Sequence, residues 1–252
     1  MLLTRRIGVK VPQVTVGFWV VKVLTTAMGE ATSDYSVHQL DPVVAVAFGF
    51  VAFVIAIALQ LRLRHYVVWT YWLAVVMVAV FGTMAADVIH VRFHVPYAVS
   101  TVGFALALAT VFIAWYKVEG TLSIHSVNST RRELFYWATV LATFALGTAA
   151  GDMTAYTFHL GFFSSALLFA AAISVPALAY RFLDLNAIAA FWFAYVLTRP
   201  LGASLADWMG TPHSLGGLNW GRGNVSIGLT LVIAVGVALL ARTRTRQTFV
   251  SA

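Results

Sequence analysis

The sequence predicts an all-α integral membrane protein of eight transmembrane helices, built from four same-orientation two-helix repeats about a pseudo-symmetry axis along the membrane normal. Three observations predict it. The 252 residues are 61% hydrophobic and only 10% charged, with a mean hydropathy of +0.87, a composition that soluble domains do not have. Apolar stretches of roughly 20 residues, the length needed to cross a bilayer, recur along the whole chain. A tryptophan recurs with them at a fixed distance from a glycine and an aspartate.

The stretches fall near residues 13–35, 42–61, 66–90, 96–116, 133–153, 160–180, 185–208 and 223–241. The first resembles a signal peptide, because Arg5, Arg6 and Lys10 precede its apolar run. Lys22 inside that run argues against cleavage, and the repeat requires the segment to be kept. Twelve lysines and arginines, from Arg5 to Arg246, fall on one side of the eight spans and only Arg92 and Arg222 on the other. This asymmetry predicts a multi-pass protein of the cytoplasmic membrane with both termini in the cytoplasm. The net charge of +7 is carried by these short connections, so it signals topology and no nucleic-acid partner is expected. There is no cysteine, which excludes disulfides, thiolate metal sites and cysteine nucleophiles.

In the odd-numbered spans the pattern is aromatic, Trp, nine residues, Gly, four residues, Asp. It reads Phe18, Trp19, Gly29, Asp34; Tyr71, Trp72, Gly82, Asp87; Tyr136, Trp137, Gly147, Asp152; and Phe191, Trp192, Gly202, Asp207. A given tryptophan would meet both conditions by chance roughly 0.2% of the time, and four do. The repeats run over about residues 13–62, 66–117, 131–181 and 185–242 of a single transmembrane domain. Each contains two spans, so all four share one orientation and no inverted repeat is expected among them. Stretches such as "GEATSDY", "EGTLSIHS", "GTAAGDMTA" and "RPLGASLADW", together with the tandem tryptophan repeats, resemble a bacterial membrane protein family named only as a repeat of unknown function. The resemblance covers nearly the whole chain and implies the repeat architecture, but no activity.

The tryptophans are expected to form an interfacial aromatic belt and to pack the repeats together. The glycines are expected at close helix contacts or kinks. The four aspartates stand at one depth, near the outer face, where they could cap helices or face water; a shared register favours a cation site. Glu30 lies four residues before Asp34 on the same helical face, where the other repeats have Thr83, Thr148 and Ala203. Lys22 stands where they have Val75, Val140 and Tyr195, and Arg199, followed by Pro200, where they have Thr26, Ala79 and Phe144. An intramembrane charge costs about 3 kcal/mol on insertion scales, so both should point inward and be paired with acids. His38 and His90, four and three residues after a repeat aspartate, are candidate metal ligands. His94, His159 and His213 show no common register.

The leading expectation is therefore a transporter or channel for a cation, with a divalent metal favoured. Asp34, Asp87, Asp152, Asp207 and Glu30 would bind the ion, and Lys22 and Arg199 would act as internal counter-charges that yield when it arrives. This scheme fails if Lys22 proves unpaired, or if mutating any repeat aspartate leaves metal tolerance unchanged. Proton coupling would follow from crowded carboxylates. The rivals are a non-transporting scaffold or sensor with structural ion pairs, and a transporter of a small organic anion held by Lys22 and Arg199. No catalytic set is recognisable, so no enzyme is expected. The lipid bilayer and a small ion or solute are the expected partners, a bound divalent metal ion is the one cofactor the pattern suggests, and assembly into a homo-oligomer is left open.

Overall fold

A computed structural model describes residues 8–250 of the chain. Eight α-helices follow one another: α1 (Val16–Gln39), α2 (Pro42–Arg62), α3 (Val68–Asp87), α4 (Tyr97–Glu119), α5 (Thr130–Asp152), α6 (Gly161–Phe182), α7 (Ala187–Gly210) and α8 (Arg222–Val250). Local chemistry sets their ends. The Thr15 hydroxyl accepts from the Phe18 amide to start α1, and the Asp41 carboxylate accepts from the Val43 and Val44 amides to start α2, with Pro42 in its first turn. Ser129 and Asn186 cap α5 and α7 in the same way. Gly120 ends α4 at φ 70°, the left-handed conformation that glycine adopts freely. Directly after Asp87 and Asp152, α3 and α5 loosen into π-helical turns, Val88–Arg92 and Met153–Thr157.

The inner helices α1, α3, α5 and α7 close a ring in that order, with α7 returning to α1. The repeat glycines make the closure possible. A Cβ on Gly29 would meet Ala79 of α3 at 2.5 Å, and one on Gly82 would meet Phe144 of α5 at 2.7 Å. At Gly147 it would run into Arg199 and Pro200 of α7, and at Gly202 into Thr26 and Ala27 of α1. Each glycine thus receives the residue seven positions after the tryptophan in the next repeat, all the way round. Small residues let helix backbones approach in this way, so the glycines are packing positions.

The aromatic pairs follow the same cycle. Phe18 packs on Trp72, Tyr71 on Trp137, Tyr136 on Trp192 and Phe191 on Trp19, with ring centroids 5.6 to 6.2 Å apart. Trp72, Trp137 and Trp192 are buried and Trp19 is half-buried. The expected interfacial belt is therefore a buried collar, because the repeat turns its aromatics towards the neighbouring helix; the packing role stands. We call this end of the ring the Trp end and the other the Asp end.

Each outer helix packs chiefly on the inner helix of the following repeat: α2 on α3, α4 on α5, α6 on α7, and α8 back on α1. Their outward faces carry exposed large apolar side chains, among them Val43, Phe48, Val99, Leu167 and Val235. Seven helices, α2 to α8, are long and apolar enough to cross a membrane, and the chain is a helical membrane protein. α1 falls short by composition, since Lys22, Glu30 and Asp34 dilute it. It is enclosed instead by α3, α7 and α8. Arg5 and Arg6 lie outside the described residues.

Candidate functional site: a charged axis with an acidic mouth

The repeat register stacks residues in levels along the ring. Three residues after each tryptophan stand Lys22, Val75, Val140 and Tyr195, and four further on stand Thr26, Ala79, Phe144 and Arg199; all eight are buried. One more helical turn brings Glu30, Thr83, Thr148 and Ala203, also buried. The four aspartates, Asp34, Asp87, Asp152 and Asp207, are half-buried and stand one turn beyond, at the Asp end.

Arg199 lies on the axis, since its side chain reaches all three other inner helices. Its Nη2 donates to Glu30 Oε2 at 2.6 Å, to Thr148 Oγ1 at 2.6 Å and to Thr83 Oγ1, and Nη1 donates to the Thr26 carbonyl at 3.3 Å. The fourth member of that level, Ala203, has no side chain to compete. One guanidinium on α7 is thus gripped by the equivalent residues of the other three repeats. It is fully buried, and its pair with Glu30 is a buried ion pair. The expectation that Arg199 meets an acid is met here.

Lys22 differs from its expectation. Its ammonium has no acidic partner and no hydrogen bond among the described residues. It sits 4.2 Å from the centroid of the Phe144 ring and 4.3 Å from that of Tyr195. The physical reason is distance. Glu30 is eight residues along the same helix, about 12 Å away in rise, and Arg199 has already taken it. Two ring faces stabilise a desolvated ammonium by about 2 kcal/mol each, while burying an ion costs several kcal/mol. Lys22→Met should accordingly leave the melting temperature of the detergent-purified protein unchanged or raise it. A fall of several degrees would instead mean that Lys22 has an acid partner in solution.

At the mouth, one oxygen each from Glu30, Asp34 and Asp207 lies within 4.8 Å of the other two. A single cation with oxygen ligands at about 2.3–2.6 Å could span such a trio. Asp87 and Asp152 stand outside it, although Ser33 approaches Asp87 at 3.5 Å. Arg222, at the start of α8, pairs with Asp34 at 2.9 Å and approaches His38 Nε2 at 3.4 Å. The other ring nitrogen of His38 lies 2.6 Å from the Asp34 carbonyl. His38 is thereby tied to its own helix and Arg222, outside the carboxylate trio. His90 is buried against Tyr97 with Nδ1 3.2 Å from the Ser100 hydroxyl, and it too stands outside the trio.

Two features escape a reading by residue type. His94 and His159 do share a register, each seven residues after its repeat aspartate, and both adopt positive φ of 55° and 56° just beyond a π turn. Their common place is conformational, because histidine is among the side chains that tolerate the left-handed region. Lys10 and Glu133, which look like two topology charges, form a buried ion pair of 2.5 Å at the Trp end.

A closed ring of four two-helix units with an acidic mouth defines a class of repeat-built helical membrane protein. Within it, models of the family described as Repeat of Unknown Function (DUF347) match residues 17–66, 70–121, 135–184 and 190–246, and the chain belongs to that family. No curated protein and no solved structure matches it.

Proposed function

We propose that this protein binds a divalent cation at the Asp end of the ring and carries it across the cytoplasmic membrane. The observation that carries this reading is the charge arrangement at the mouth. Five carboxylates, Glu30, Asp34, Asp87, Asp152 and Asp207, gather around a ring that offers Arg199 and Arg222, with Lys22 one level below Arg199. These carboxylates outnumber Arg199 and Arg222 by three formal charges, an excess of negative charge that suits a cation. Arg199 is the internal counter-charge in this reading, and the unpaired Lys22 is withdrawn from that role. In the membrane, α1 serves as an eighth span screened by its neighbours, the pseudo-symmetry axis runs along the normal, and both termini are cytoplasmic, as the Lys and Arg asymmetry favours. Packed aromatic and aliphatic levels below Arg199 favour a transporter that must rearrange over an open channel.

Thermal stability of the purified protein against Mn²⁺, Zn²⁺, Fe²⁺, Ni²⁺ and Ca²⁺ tests the binding step. Ligand at one hundred times Kd stabilises by about 2.7 kcal/mol, a rise of roughly 5–10 °C for a chain of this size. One metal should give that rise, and Asp207→Asn should remove most of it. No shift with any metal would overturn the reading.

The filled axis and the unpaired Lys22 favour a second reading, a scaffold or sensor that binds without transporting. Metal uptake into proteoliposomes separates the two. The organic-anion reading has less support, since both terminal nitrogens of Arg199 are engaged within the protein.

A further inference from the structure

We propose that the Trp end holds a second site, built for a monovalent cation of ammonium or potassium size, and that the Lys10 side chain is its tethered occupant. The inference is independent of divalent binding at the Asp end. Glu133 lies four residues before Trp137, where the other repeats have Thr15, Val68 and Ile188. This lone acid is fully buried, one turn below the aromatic collar. A buried carboxylate needs a permanent counter-ion or a cargo.

What fills the position is an ammonium held by two oxygens. Lys10 Nζ donates to Glu133 Oε2 at 2.5 Å and to the Leu61 carbonyl at 3.2 Å. Gln60, also fully buried, donates its Nε2 to Glu133 Oε1 at 3.0 Å, and its own Oε1 is buried with no hydrogen-bond partner. The carboxylate and the main-chain carbonyl hold the ammonium, and the unpartnered amide oxygen of Gln60, whose own Nε2 bonds that carboxylate, is a further donor for a monovalent cation in its place.

In this proposal an arriving cation displaces the occupant. It belongs to no helix: residues 8 to 10 are laced to the surrounding loops by the Gly8 amide to the Arg64 carbonyl, the Lys10 amide to the Val127 carbonyl and the Tyr66 amide to the Val9 carbonyl, at 2.9 to 3.2 Å. Those bonds and the ion pair would release together, uncovering Glu133 from the Trp end. The segment is thus a plug whose amine mimics the ion it excludes.

The test is the melting temperature of Lys10→Met at constant ionic strength in choline, sodium, potassium and ammonium chloride. In choline the variant should melt roughly 10 °C below wild type, and potassium or ammonium should restore at least half of that loss. Wild type should show no such preference, and Lys10→Met/Glu133→Gln should lose the response. Equal melting in choline and potassium, or an undiminished response in the double variant, overturns the proposal. Should Lys10→Met fail to fold, Val11→Cys in the otherwise wild-type chain reports instead, its thiol being the only one present. Val11 is buried, so maleimide labelling should accelerate several-fold in molar potassium over choline. Equal rates overturn the proposal.

Discussion

Glu30→Gln should destabilise the ring severely, and adding Arg199→Met should restore most of what is lost. Arg199 is held by Glu30, Thr83, Thr148 and the Thr26 carbonyl, and no water-facing route is open to it at zero exposure. Neutralising Glu30 leaves a guanidinium in the core with two hydroxyls and a main-chain carbonyl but no counter-charge. Breaking one partner of a buried pair costs about 3–5 kcal/mol, which lowers the melting temperature by roughly 6–20 °C in a chain of this size. In the double variant the charge is gone as well. The two threonines are not orphaned, because the Thr83 hydroxyl also donates to the Ala79 carbonyl and that of Thr148 to the Phe144 carbonyl. A buried pair replaced by neutral groups of similar volume is often tolerated or stabilising. Thermal melts of the two single variants and the double settle the matter: additive losses would mean that Arg199 and Glu30 are not partners.

Gly29→Ala should also be costly, while Gly103→Ala should not. The new methyl at 29 would stand 2.5 Å from Ala79 Cβ and 2.9 Å from the Ala79 carbonyl carbon. Neither can rotate away, so α1 and α3 must part. Overpacking of this kind costs about 1–3 kcal/mol, and because the ring is closed the displacement strains the other junctions too. At Gly103, in α4, nothing lies within 4 Å, and alanine gains up to about 1 kcal/mol in helix propensity. Melting temperatures should move in opposite directions. A harmless Gly29→Ala would remove the packing account of the repeat glycine.

Spacing made the repeat legible, since the tryptophan is followed at ten residues by glycine and at fifteen by aspartate in all four units, which puts each residue type at one height in the ring. It also marked where repeats one and four break symmetry, at Lys22, Glu30 and Arg199. Register gives height along a helix, but only poorly the direction a side chain faces. For that reason the tryptophans read as a lipid-interface belt although they pack between repeats, and the stripe from Lys22 to Asp34 suggested a pairing that about 12 Å of rise forbids. The partners of Arg199 were visible as equivalent positions, yet their convergence needed the ring to close. Lys10 was least legible: a basic residue before a first span looks like a topology signal, and its partner lies 123 residues away.

The offset of the outer helices bears on how the chain is made. α1, the one described helix without a window apolar enough to cross a membrane, finds its main partners in α3, α7 and α8, and the last of these leaves the ribosome only after α1 to α7 are synthesised. Synthesis runs from the N-terminus, and contacts of such sequence separation form late. Until then the chain carries a segment with three charged groups and no complete enclosure, so membrane integration of α1 should be slow and dependent on the C-terminal helix. In a chain stopped before Arg222, a cysteine at Val21, which packs against Gly236 of α8, should label with a water-soluble maleimide, while in the full-length product it should be protected.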